Sequence, residues 1–173
     1  NIVGEKETGT IEQMNVSPVR PWTLILSKLI PYWTLGLFVL MLAMGLAATL
    51  FGLTPAGGIG NILAFTLLYL LVMSGLGICV SNIAGTMQQA MFVMYFFMML
   101  FFLMSGLFTP ITSMPQWAQM LTYLNPLRYF VQAMRSIYLK GSGLMDLLPQ
   151  LGALTVYALA SCSLALLSYR KRS

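Results

Sequence analysis

The sequence has few charged residues and no histidine. Only 8% of its 173 residues are Asp, Glu, Lys or Arg, whereas about 25% is usual in soluble domains. Between Lys28 and Arg128 the chain has none of these residues. A soluble domain needs charges spread over its surface to stay dispersed, so this long neutral stretch predicts an all-α integral membrane protein.

The same scarcity excludes most catalytic chemistry. The four acidic residues are Glu5, Glu7 and Glu12 in the polar N-terminal segment and Asp146 much further along. They form no carboxylate pair, metal cluster or nucleophile–base set, so we expect no catalytic, cofactor-binding or metal site. The glycine run at 57–60 lacks the Lys-Ser/Thr end of a phosphate loop, so this chain is not expected to bind ATP by that device.

Cysteine and basic residues are also sparse. Cys79 and Cys162 lie inside apolar runs and are predicted to be small packing residues. The basic residues flank apolar segments without interleaved aromatics, which favours membrane-interface anchors over a nucleic-acid partner. No ionisable residue lies inside an apolar run, so an ion-coupled pump is not expected. The chain does not begin with Met, which is compatible with a fragment.

What the sequence does contain is apolar segments long enough to cross a bilayer. About 20 apolar residues span the hydrocarbon core, and four segments qualify, at about 22–53, 61–81, 90–108 and 147–169. The third is rich in Met and Phe. We expect most of these side chains to pack in the core or face lipid. One strip of them could line a path for hydrophobic substrates, because Met repacks around varied shapes.

Two local patterns predict helix contacts and interfacial helices. Gly77, Ser81 and Gly85 recur every four residues, a small-residue stripe that lets helices approach closely in lipid. Segments 113–124 and 126–139 are amphipathic and too polar to span. They are therefore predicted to be two short helices that lie at the interface or re-enter the membrane.

Basic residues on the two sides of the membrane set the orientation. Four spans place both termini on one side, together with Lys6, Arg20 and Lys28 and the three basic residues at 170–172. The other side has Arg128, Arg135 and Lys140. Because positive charge favours the cytoplasm, both termini are predicted to be cytoplasmic, and the two amphipathic helices lie on the outer face.

The polar segment 1–20 has one organised feature. Thr10-Ile11-Glu12-Gln13 has the form of a capping box at the start of a short helix. The prolines at 18 and 21 end that helix early. A solvated lead-in helix is the plainer interpretation.

Two regions together resemble the type-2 ABC transporter permeases. Residues 6–12 (KETGTIE), 16–18 (VSP) and 28–31 (KLIP) look like the segment before the third transmembrane helix of that family. Ser105-Gly106, Pro110, residues 113–115 (SMP), Trp117 and residues 124–130 (LNPLRYF) look like its outer re-entrant region. The resemblance covers nearly the whole chain in matching order.

The resemblance implies roles for both regions. Residues 5–16 correspond to a coupling helix that docks on a cytoplasmic ATP-binding subunit, with Glu7, Gly9, Thr10 and Glu12 as coupling residues. Residues 110–139 correspond to outer gate helices, and the gate residues are Trp117, Asn125, Pro126, Arg128, Tyr129 and Phe130. In that family a six-helix permease pairs with a second permease copy or homologue in the bacterial inner membrane, and ATP binds at the partner subunit. The first two helices and the external domain between them have no counterpart here.

Two functions follow as hypotheses. The first is a permease half of an ATP-driven exporter that moves a hydrophobic or amphipathic solute. The second is a non-transporting membrane anchor or assembly module of a larger complex. For the outer helices, an exit gate and a passive interfacial anchor are both open interpretations.

Overall fold

The computed structural model describes residue 3 and residues 21–170, and these residues contain helices and turns but no strand. The all-α expectation is therefore confirmed for this part of the chain. Segment 1–20 otherwise lies outside the described residues. The helices are α1 (Pro21–Phe51), α2 (Ile59–Ile83), α3 (Met87–Leu103), a 3₁₀ turn (Ile111–Ser113), α4 (Gln116–Thr122), α5 (Pro126–Lys140) and α6 (Leu148–Arg170).

Three of the described helices are long and apolar enough to cross a membrane, in the segments Leu29–Phe51, Ile59–Ile83 and Met145–Ala165. The predicted span at 90–108 is a shorter apolar helix, α3, of 17 residues. At 1.5 Å per residue it is about 25 Å long, less than a typical hydrocarbon core of about 30 Å. The count of four spans thus stays a prediction.

Local signals at both ends explain the position of α3. Thr86 caps its start, because the Thr86 hydroxyl accepts a hydrogen bond from the Gln89 amide at 3.2 Å. The Gln89 side chain accepts one in return from the Gly85 amide at 3.0 Å, much as in a capping box. The helix ends earlier than predicted because Gly106 follows with a φ of +82°, a conformation that glycine adopts without steric cost.

Helix α2 lies at the centre of the bundle and contacts α1, α3, α5 and α6. On its α1 side, the Trp33 indole N–H donates to the Ser74 hydroxyl at 2.8 Å, and Gly36 lies against Leu70. Because residue numbers rise along α1 as they fall along α2, these two helices are antiparallel. On the α6 side, α2 makes its most extensive packing.

The buried core lies where α2, α5 and α6 meet. It consists of Ile62, Phe65, Ala133, Ile137, Leu147 and Leu154. The rings of Tyr69 in α2 and Phe130 in α5 stack beside it with centroids 4.5 Å apart. The amphipathic helix α5 is thereby packed into the bundle along one face.

Helix α4 begins later than the sequence predicts. The predicted helix covers 113–124, but Ser113 is the last residue of the 3₁₀ turn, and its hydroxyl donates to the Pro110 carbonyl at 2.7 Å. The α-helix starts at Gln116, after Pro115. The second amphipathic helix, predicted at 126–139, is found at Pro126–Lys140.

Candidate functional site

The junction between α4 and α5 is built around the side chain of Asn125. Its Oδ1 accepts a hydrogen bond from the Leu127 amide at 3.0 Å and so caps α5. Its Nδ2 donates to the carbonyl of Phe101, near the end of α3, at 2.7 Å. Asn125 is only 2% exposed. One buried amide therefore satisfies the ends of two helices, which otherwise leave backbone groups unpaired.

Arg128 is held against the last residues of the α4 segment. Its Nη1 donates to the Thr122 hydroxyl, and its guanidinium carbon lies 4.2 Å from the centre of the Tyr123 ring. That distance lies within the range of a cation–π contact. No acidic side chain pairs with Arg128 among the residues that the structure describes. Its partners are a hydroxyl and an aromatic face.

The carbonyl of Tyr123 accepts two phenol hydroxyls from different helices. Tyr129 in α5 donates to it at 3.1 Å, and Tyr157 in α6 donates at 2.6 Å. The junction is thus joined to α6 as well as to α3. Tyr123 and Tyr157 were not identified from the sequence, since the spacing of these residues gives no sign that one carbonyl brings them together.

The gate residues inferred from the resemblance fall into two groups. Asn125, Pro126, Arg128, Tyr129 and Phe130 lie together at the start of α5, where Pro126 is buried and Phe130 packs on Tyr69. Trp117, in α4, is 66% exposed and stands apart from them. The other apolar residues of its face are also exposed: Met120, Leu121 and Leu124.

The far end of α5 is attached to the α1–α2 loop. The amides of Ala56 and Gly57 donate to the carbonyls of Tyr138 and Ile137 at 3.4 and 3.0 Å. A Cβ added to Gly57 would lie 2.8 Å from Ile137 Cγ2, so only glycine fits there without a shift. Helix α5 is therefore fixed at both ends as well as along its buried face.

An apolar cavity of 220 Å³ lies between α2 and α3. All of its lining residues are apolar, and they include Met73, Cys79, Met94, Phe97, Met98 and Phe101. A cavity of about 150 Å³ lined by apolar groups is large enough to bind benzene. The Met- and Phe-rich segment, for which the sequence predicted a path for apolar molecules, thus forms one wall of this cavity. The cavity is large enough to hold a small apolar group.

The closest approach of α2 to α6 is displaced from the predicted stripe. A Cβ on Gly77 would meet no atom within 4 Å, and one on Gly85 would meet only the Gln89 side chain. A Cβ on Gly75 would lie 2.6 Å from the Ser161 hydroxyl oxygen. Between α2 and α6, Gly75 is thus the glycine at the close contact. The close helix–helix contact through Gly77, Ser81 and Gly85 stays a prediction.

The remaining predictions concern residues or ligands that the structure does not describe. Glu7, Gly9, Thr10 and Glu12, the coupling residues inferred from the resemblance, lie outside the described residues. Over residue 3 and residues 21–170, no group of three or more His, Cys, Asp or Glu side chains is arranged to hold a metal ion. The described site offers hydrogen-bonding groups, aromatic faces and apolar contact.

Comparisons with known proteins address the family. The family model described as ABC-2 type transporter matches residues 1–139. The probable multidrug ABC transporter permease YbhR of Escherichia coli K12 is 30% identical over 172 residues, which cover 99% of this chain and 47% of that protein. The inner membrane transport permease YhhJ of the same organism is 30% identical over 175 residues, which cover 98% of this chain and 46% of that protein.

These alignments therefore cover nearly all of this chain but less than half of each relative. The chain spans about half the length of the curated relatives that it matches. No solved structure gives a significant match. The matched family and the long apolar helices agree with the resemblance found in the sequence, and the chain belongs to the ABC-2 type transporter family of multi-pass membrane permeases.

Proposed function

We propose that this chain is the membrane-embedded C-terminal half of a permease subunit in an ATP-driven exporter of the bacterial inner membrane. It moves a hydrophobic or amphipathic solute and does not itself hydrolyse ATP. Both termini lie in the cytoplasm, and the α4–α5 end of the bundle lies on the outer face. Four segments cross the membrane, with α3 as the short one.

The observation that carries this proposal is the apolar cavity between α2 and α3. It lies beside helices long enough to span a membrane, in a chain of a permease family. Its Met and Phe side chains are able to repack around solutes of different shape. One relative is named a probable multidrug permease, which agrees with a path that accepts varied apolar molecules.

The partners follow from the family and from the absence of a phosphate loop in the sequence. A cytoplasmic ATP-binding subunit supplies energy and docks on residues 5–16, where Glu7, Gly9, Thr10 and Glu12 form the contact. A second copy of the permease, or a homologue, completes the path. The lipid bilayer surrounds the apolar helices, whose side chains are widely exposed in α1 and α3.

The test is transport by the full permease reconstituted with its ATP-binding subunit. Val80 lines the cavity, and Val80→Phe reduces its volume. We expect this variant to lower export of a bulky hydrophobic dye at least severalfold while ATP hydrolysis continues. The matched control is Leu67→Phe on the exposed surface of the same helix, which leaves export unchanged.

Failure of the wild-type complex to move any hydrophobic dye would contradict the transport proposal. The alternative, a non-transporting anchor or assembly module, predicts that result. It also predicts that removing residues 5–16 leaves the complex assembled and its ATP hydrolysis unaltered. Equal export by Val80→Phe and wild type would instead keep transport but place the solute path outside this cavity.

A further inference from the structure

We propose that Asn125 is a positioning residue that keeps the exit side closed by tying the end of α3 to the start of α5. The inference rests on the proposed permease function, in which the α4–α5 end of the bundle is the outer gate. It assigns the closed state to one hydrogen bond, from Asn125 Nδ2 to the Phe101 carbonyl, 2.7 Å long.

The first argument is that the Phe101 carbonyl depends on Asn125. A regular helix would give this carbonyl the amide of Ser105, but that amide bonds to Phe102 instead, at 3.3 Å. The Ser105 hydroxyl also donates to Phe102, at 2.7 Å. The shift leaves Phe101 without that helical partner, and the buried side chain of Asn125 takes its place. A backbone carbonyl without a partner is costly in a membrane, so the bond is strongly favoured in this arrangement.

The second argument is that the two ends of the bond are held very differently. Helix α5 contains four buried residues, Pro126, Leu127, Ala133 and Ile137, and its far end bonds to the α1–α2 loop. Helix α3 contains no buried residue. The fixed partner is thus α5, and the loosely packed partner is α3. Asn125 thus ties a helix without buried residues to one that is held along its length.

The third argument is that a shorter polar side chain cannot make both bonds of the Asn125 amide. The Asn125 oxygen is occupied by the Leu127 amide at 3.0 Å, which leaves its nitrogen as the donor toward α3. Serine also caps helices well, but its side chain is too short to serve both partners. The capping role and the tie to α3 are therefore separable by mutation.

The experiment measures the distance between α3 and α5 in the full permease with its ATP-binding subunit. Spin labels are attached at Leu103→Cys and Leu139→Cys, both exposed positions, after Cys79 and Cys162 are replaced by Ala. Labelled chains are diluted with unlabelled ones so that distances within one chain dominate. Because the readout needs no transport, its failure is distinct from failure of the proposed function.

In the resting complex we expect one narrow distance distribution. Asn125→Ser, which keeps the cap, should raise the population of a longer distance about twofold to tenfold, the effect of one lost hydrogen bond. Asn125→Ala should raise it at least as much. The control Thr86→Ala removes the cap at the other end of α3, away from the bond between Phe101 and Asn125, and should leave the distribution narrow.

Two results would overturn the proposal. One is an unchanged distribution in Asn125→Ser with a change only in Asn125→Ala, since the cap alone would then explain the effect. The other result is measured with Asn125 intact, so it tests the proposal even if the Asn125 variants do not fold. Trapping nucleotide on the ATP-binding subunit must lengthen the Leu103–Leu139 distance, and a constant distance through the cycle contradicts a bond that opens with the gate.

Discussion

The backbone of Gly75 in α2 lies directly against Ser161 in α6, with no space for a side chain between them. A Cβ on Gly75 would lie 2.6 Å from the Ser161 hydroxyl oxygen, 2.8 Å from its Cβ and 2.9 Å from its carbonyl carbon. The thiol of Cys79, one turn on, lies 3.8 Å from the Ser161 carbonyl oxygen. Small residues permit this approach where hydrophobicity cannot drive helices together, since lipid is equally apolar.

Gly75→Ala should therefore destabilise the bundle although alanine is the better helix former. The added methyl group forces α2 and α6 apart, and overpacking of this kind costs about 1–3 kcal/mol. The measurement is thermal unfolding of the purified permease in detergent. Gly77→Ala is the matched control, because a methyl group there meets no atom within 4 Å. It should be neutral or stabilising by up to about 1 kcal/mol, and equal losses at both positions would refute the assignment.

A second prediction concerns the attachment of the α1–α2 loop to α5. Gly57→Ala should weaken it, because the new Cβ would lie 2.8 Å from Ile137 Cγ2 and 3.1 Å from the Ile137 carbonyl oxygen. We expect a loss of about 1–3 kcal/mol in the free energy of unfolding and faster hydrogen exchange at the amides of Ala56 and Gly57.

The neighbouring glycine provides the control for this experiment. Gly58 has a φ of −66°, which suits any residue, and a Cβ there meets no atom within 4 Å. Gly58→Ala should leave both the stability and the exchange rates at the loop unchanged. If the two variants behave alike, the loop is not held by its contact with Ile137.

The extent to which the sequence predicted this structure depends on how local each signal is. The sequence predicted a helix over 126–139, and α5 begins at Pro126, because an amphipathic pattern and a proline are both local signals and proline suits the first position of a helix. The end of α3 was placed five residues late, because the φ of Gly106 cannot be read from an apolar run. The contact of Gly75 with Ser161 was missed since small residues recur along both helices, and only their three-dimensional pairing selects one.

In the candidate site, too, the local features were predicted from the sequence and the long-range contacts were not. The grouping of residues 125–130 followed from their adjacency in the chain and from the family resemblance. The ties that attach this group to the bundle connect residues far apart in sequence, such as Tyr157 with Tyr123 and Asn125 with Phe101. Hydrogen bonds of this kind leave no periodicity in the sequence, and a single sequence carries no covariation from which to infer them.

The proposed coupling segment leads to a prediction about energy transfer. Glu12 belongs to the acidic cluster near the N-terminus, and Glu12→Lys should uncouple ATP hydrolysis from transport by reversing the charge presented to the ATP-binding subunit. In the reconstituted complex, hydrolysis should continue while export falls about tenfold or more, the effect of losing at least 1.4 kcal/mol of coupling. Asn15→Lys adds positive charge near an intact Glu12, outside the predicted capping box, and serves as the control. If ATP hydrolysis and export stay coupled in Glu12→Lys, the segment is a solvated linker helix and not the coupling helix.

The last prediction tests the orientation on which the gate assignment depends. Arg128 and Arg135 are seven residues apart in α5, so they lie on one face of the helix, two turns apart. Arg135 is exposed, whereas Arg128 is partly covered by Thr122 and Tyr123. With Cys79 and Cys162 replaced by Ala, Arg135→Cys and Arg128→Cys should both react with a membrane-impermeant thiol reagent added outside the cell, and position 135 should react faster.

The turn at the opposite end of the bundle gives the control. Gln88 is exposed in the first turn of α3, next to that turn of the chain, so Gln88→Cys should react only in inside-out vesicles. In the same experiment Trp117→Cys, on the exposed face of α4, should change its reaction rate when nucleotide is trapped on the ATP-binding subunit, because a gate moves with the cycle and an interfacial anchor does not. Reaction of positions 128 and 135 only from the cytoplasmic side would invert the topology. The α4–α5 junction would then lie at the entrance of the path, and its assignment as an exit gate would be wrong.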